Sequence, residues 1–199
     1  MGLHDVIAAG HQGQCFALLA RRFMISERQA AIAVQRLLPA LSEPFETWVS
    51  TPLGLDAFLL GLSRGGHDKT FENPAILSNQ FERDRGNQLL AQFRLVREIE
   101  SAEIGRAAIA SGVSYRVLLQ LMPFVALFMM AALRTMLEQP ARDILVRRLG
   151  AAHGRSPDPF SDLAQLVRDD AKGAKGSTLG GLFGALLSRR PAAANVAAQ

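Results

Sequence analysis

Apolar residues along this chain recur at intervals of three and four, and no stretch shows the strict alternation with polar residues that a half-buried strand requires. The pattern is strongest between Val113 and Leu137. Placed on a helix, Leu118, Leu121, Met122, Val125, Phe128, Met129, Ala132 and Met136 form one stripe, and the flanks of the stripe are apolar too. Ser114 supplies a cap for this helix, and Pro140 is expected to lie beyond its end. A further short helix over Ala141 to Leu149 would turn Ile144 and Leu145 inward. The expected fold is all-α: a multi-helix bundle around a central apolar helix at about residues 114–137, with a flexible C-terminal tail.

Ahead of the central helix, Leu3, Val6 and Ile7 begin a short helix that Gly10 to Gly13 breaks or bends, and Phe16, Leu19 and Phe23 mark a second. Ser26-Glu-Arg-Gln29 is a capping box, with a hydroxyl at the N-cap and glutamine three residues on. The helix it starts buries Ala30, Val34, Leu37, Leu38 and Leu41. Pro39 removes the hydrogen bond to the Gln35 carbonyl, which predicts a kink or a new start. Ser42-Glu-Pro and Thr51-Pro each read as a cap followed by proline, giving two short helices up to Leu62 anchored by Trp48 and Phe58.

Gly65-Gly66 ends that run, and residues 67–81 read as a loop with room for one short turn of helix. After Gly86-Asn87 a short helix carries Leu89, Leu90 and Phe93. A longer one from about Val96 uses Ile99, Ala102, Ala108 and Ile109 and stops at Ser111-Gly112. Ser26 with Pro39, and Ser114 with Pro123, form a faint internal echo. Gly150 to Pro157 reads as a linker, and Asp158-Pro-Phe-Ser starts a helix running to about Asp170. The chain thus divides into a helical domain over 1–149, a linker and short helix over 150–171, and a tail over 172–199.

Composition narrows the function classes. A chain of 199 residues with 49% hydrophobic side chains can bury a core as one domain. The single cysteine, Cys15, excludes an intramolecular disulfide and a cysteine-based zinc site. The first residues lack the charged start and apolar run of a secretory signal, so a cytoplasmic location is expected. The 17 residues between Arg116 and Arg134 include Gln120 and Pro123 and sit at the short limit of a membrane span, so a buried core helix is the preferred reading. The net charge is +4, and arginines alternate with acids, as in Glu82-Arg-Asp-Arg85, which describes a mixed solvated surface. With one Trp and one Tyr there is little for base stacking, and nucleic acid is not an expected partner.

Candidate chemistry is sparse. His4 and His11 are seven apart, but Gly10 interrupts their helix and no third ligand stands at metal spacing, so they read as surface histidines near a mobile terminus. His67-Asp68 with Glu72 is the one candidate acid/base group, on a loop. Cys15 on an amphipathic helix reads as a packed or idle thiol. Gly180-Gly181 and Gly184 lack the Lys-Ser/Thr of a phosphate loop. Met122, Met129, Met130 and Met136 read as core filling. No catalytic residue, cofactor or metal site is assigned.

The tail carries the clearest binding signal. Leu179, Leu182, Phe183, Leu186 and Leu187 fall at i, i+3, i+4, i+7 and i+8, flanked by Lys172, Lys175, Arg189 and Arg190. Such a stripe could dock in a groove of its own domain, on a second copy or on an anionic membrane surface. Its glycines oppose a free-standing helix unless a partner supplies binding energy.

Phe23-Met-Ile-Ser-Glu-Arg-Gln-Ala running to Leu37-Leu-Pro-Ala-Leu41, then Gly86-Asn-Gln-Leu-Leu-Ala-Gln-Phe93, then Ser111-Gly-Val-Ser with Leu118 to Pro123, resembles the bacterial YidB-like family, a domain of unknown function. The resemblance covers roughly residues 1–137 and departs after Phe93, where Arg94-Leu95 stands in place of the usual Gly-Ser turn. It implies an all-α bundle in a bacterial cytoplasmic protein and carries no reaction or cofactor. The expected function is a non-enzymatic self-associating or protein-interaction module. The alternatives are a peripheral membrane protein using the basic tail, and an enzyme centred on the His67/Asp68 loop. No small-molecule ligand is indicated.

Overall fold

The computed structural model describes residues 2–92 and 101–172, apart from the side chains of Asp68, Ser101 and residues 170–172. Eight α-helices and no strand occur among the described residues. They are α1 (Leu3–Ala9), α2 (Cys15–Phe23), α3 (Glu27–Val49), α4 (Pro52–Arg64), α5 (Gln80–Gln92), α6 (Ser101–Ser111), α7 (Tyr115–Leu149) and α8 (Pro159–Lys172). Short 3-10 turns lie at Gly10–Gly13, His67–Lys69, Pro74–Leu77 and His153–Arg155.

Every residue of α7 from Leu121 to Leu133 is buried, on all sides of the helix. The other elements wrap it: α1, α3, α4, α5, α6 and α8 all touch α7. This makes α7 the centre of a bundle, as the apolar stripe predicts. The helix is long and apolar enough to cross a membrane, yet 78% of its most apolar window is covered by the rest of the chain.

Local capping chemistry works as the sequence suggests. The Ser26 hydroxyl accepts from the Gln29 amide at 3.1 Å while the Gln29 side chain accepts from the Ser26 amide at 2.9 Å. The Thr51 and Ser114 hydroxyls cap α4 and α7, accepting from the Gly54 and Val117 amides. Gly112, at φ +67°, provides the left-handed turn that ends α6.

Three helix boundaries differ from the sequence reading. First, α3 runs unbroken through Pro39 and Pro44, so no new helix starts at Ser42; its hydroxyl donates instead to the Leu38 carbonyl at 2.7 Å. Second, α7 continues through Pro140 to Leu149 and absorbs the separate helix expected there. The reason is the same in both. A proline orphans the carbonyl four residues back. Gln35 in α3 is exposed, Ala40 is half-buried, and Leu119 and Met136 in α7 are 45% and 37% exposed, so the residues whose carbonyls are released lie towards the outer faces of their helices. Met136 therefore leaves the buried stripe, and only Met122, Met129 and Met130 fill the core.

Third, α5 starts at Gln80, not after Gly86-Asn87. Gly86 lies inside the helix because α5 rests on α7 there: a Cβ at this position would stand 2.3 Å from the Pro123 carbonyl oxygen. On α6 the inward face is carried by Ile104 and Ala107, whereas Ile109 is 86% exposed and Ala102 also faces water. The expected positions Phe93, Val96 and Ile99, and the Arg94-Leu95 junction, lie outside the described residues.

Helix α8 is seated in the same core through Phe160, Leu163, Ala164 and Val167. It runs antiparallel to α4. Its capping residue Asp158 accepts a hydrogen bond from Ser63 near the end of α4, and Arg168 donates to Asp56 at 2.8 Å near the start.

Candidate functional site

An open groove forms where α4 ends and α5 crosses it. Gly65 and Gly66 stop α4, and Gly66 takes the left-handed conformation at φ +58° that turns the chain back. The turn delivers His67 into the interior, where its ring packs over Gly65 so closely that a Cβ there would lie 2.2 Å from Nε2. Arg85 on α5 fastens the corner. Its Nη2 donates to the Gly65 carbonyl and lies 3.2 Å from His67 Nδ1, while Nη1 pairs with Glu82 at 2.9 Å.

The hollow beside this clasp has a volume of about 430 Å³. Gly61, Phe81 and Leu89 give it apolar surface, and Arg64, Gln88 and Gln92 stand around it. Phe81 is 68% exposed.

Of the acid/base group suggested by sequence, His67 lines the groove, and Arg85 is among its neighbours there. Glu72 is exposed, and the Asp68 side chain is outside the described residues. The sequence reading missed Arg64, Phe81 and Arg85. Glu82-Arg-Asp-Arg85 reads as a mixed solvated surface, and Phe81 falls at the end of the stretch read as a loop. The available signal was the i, i+4, i+7, i+8 spacing of Phe81, Arg85, Gln88 and Leu89, which sets all four on one helix face.

The N-terminal histidines are not loose surface residues. His11 is 7% exposed and meets Phe71 and Phe128 edge-on, each at 6.0 Å between ring centres. Neither of its ring nitrogens has a hydrogen-bond partner among the described residues. The cause is local: His11 and Gln12 are both left-handed, at φ +52° and +58°, and fold the chain back so that the imidazole points inward. Gly10 permits this, since a Cβ there would lie 2.4 Å from the Phe71 ring. Burial lowers the His11 pKa. His4 stacks on Phe16 at 5.3 Å.

Cys15 is wholly buried, and burial pushes its thiol up to about 12, so the thiolate needed for nucleophilic chemistry is not formed near neutral pH. The tail residues Leu179, Leu182, Phe183, Leu186 and Leu187 lie outside the described residues. Their point of departure does not: because α8 is antiparallel to α4, Lys172 ends level with the start of α4, where Leu53 is 79% exposed.

Comparison with curated proteins and with solved structures gives no match. A family profile does match, over residues 5–135, which takes in α1 to α5, α6 and the buried part of α7. The chain therefore belongs to the family described as a bacterial protein of unknown function (DUF937), of which YidB is a member.

Proposed function

We propose that this protein is a cytoplasmic, non-enzymatic interaction module that associates with copies of itself through the stripe Leu179, Leu182, Phe183, Leu186 and Leu187. The observation that carries this reading is the placement of α8. Held on α4 by its buried face and by the Arg168–Asp56 pair, it ends level with the first turn of α4, where Leu53 is 79% exposed. A coil of the length between Lys172 and Leu179 spans roughly 15 Å, enough to bring the stripe onto Leu53 of a neighbouring copy. Burying five large apolar side chains would offset the cost of ordering a glycine-containing segment.

The test is the solution mass of the full chain by light scattering, beside the full chain carrying Leu182→Asp and Phe183→Asp. An oligomer that the double substitution dissociates is expected. A monomeric parent chain would overturn self-association. The basic flanks Lys172, Lys175, Arg189 and Arg190 favour a second reading, contact with an anionic membrane surface. Sedimentation of the full chain with anionic liposomes, lost in the same variant, would select it.

A further inference from the structure

At the opposite end of α4 from Leu53, the groove presents two unlike surfaces at once. One is apolar, formed by Gly61, Phe81 and Leu89. The other is a set of donors: the Arg64 guanidinium and the carboxamides of Gln88 and Gln92 make no hydrogen bond or ion pair among the described residues. Around them the electrostatics are settled. Arg85 is paired with Glu82, and Arg64 has no paired acid among the described residues. The negative end of α4 is screened as well, since the carbonyls of Gly61, Leu62 and Gly65 accept bonds from the Gly65 amide, Arg134 and Arg85.

We propose that this groove binds a small amphipathic carboxylate, with its hydrocarbon part against Phe81, Leu89 and Gly61 and its carboxylate on Arg64 and the Gln88 and Gln92 amides. The chemistry of the lining selects the sign. A planar guanidinium with amide donors matches the two oxygens of a carboxylate, whereas an amine would meet the Arg64 guanidinium as a like charge. The size selects the class. A volume of about 430 Å³ lies in the range of small-ligand sites and is narrow for an amphipathic helix, whose body is about 10 Å across. The basic tail of the chain has the wrong charge for this position.

The test uses the full chain and three probes that share one hydrocarbon tail: octanoate, octylammonium and octanol. Binding is read by titration calorimetry and by the ring resonances of Phe81. Octanoate is expected to bind saturably and shift the Phe81 signals, with octanol weaker and octylammonium silent. Arg64→Gln, at an exposed position, should weaken octanoate about fivefold while leaving octanol unchanged. Phe81→Ala should weaken both. The proposal is overturned if octanoate does not saturate at millimolar concentrations, if octylammonium binds as well, or if Arg64→Gln leaves octanoate affinity intact. Circular dichroism of the two variants, expected to match the parent chain, separates a lost site from a lost fold.

Discussion

His11 shows how a single side chain ties stability to pH. Its ring is buried between Phe71 and Phe128, with both nitrogens unpartnered among the described residues, so the folded state favours the neutral form and the pKa falls below the ordinary value of 6.5. Between the two values the unfolded chain binds a proton that the folded chain refuses. Stability is therefore intact above about pH 6.5 and declines as pH falls towards the folded value. Unfolding of the parent chain and of His11→Phe, compared at about pH 7.5 and 5.5, should show the smaller pH-dependent loss in the variant. Equal losses would mean that His11 already reaches water. Leu121, at the centre of α7, has no exposed surface. Leu121→Ala should cost about 2–5 kcal/mol in chemical denaturation, and a loss under about 1 kcal/mol would place the core elsewhere.

At the scale of elements, Gly86 decides how α5 sits. Replacing a mid-helix glycine by alanine ordinarily gains about 1 kcal/mol. Here the added methyl would stand 2.3 Å from the Pro123 carbonyl, a backbone atom that cannot swing away. The clash should win, with Gly86→Ala destabilising by on the order of 1–3 kcal/mol in thermal unfolding. Stabilisation would show that α5 does not rest on α7. The same glycine explains part of what was hard to read. Ser26, Thr51 and Gly112 act through bonds to residues within a turn or through their own backbone angles, so their roles are written locally. Pro39, Pro140 and Gly86 act through what lies across the fold: whether a freed carbonyl meets water, or whether another backbone passes close. The groove was illegible for that reason as well. Arg85 reaches Gly65 and His67 only because α5 crosses the end of α4, contacts between positions 20 and 18 residues apart.

At the scale of the whole molecule, the question is whether α8, which lies beyond the matched family region, is an appendage or part of the cooperative unit. The packing argues for the unit. Phe160 is wholly buried, and the Arg134 guanidinium of α7 lies 5.3 Å from its ring centre while donating to the Leu62 carbonyl of α4. One aromatic side chain thus joins three helices from distant parts of the chain. Its removal leaves a large cavity and uncovers the polar clasp of Arg134 beside it, so Phe160→Ala should cost about 3–5 kcal/mol. If α8 belongs to the unit, that loss lowers a single transition seen alike by circular dichroism and by Trp48 fluorescence. An early, separate melting of helical signal, with Trp48 unaffected until later, would show α8 to be an independent element. The tail would then spring from a helix that opens by itself, and the stripe at Leu179 to Leu187 would lose the fixed origin level with the start of α4 on which its proposed reach to a second copy depends.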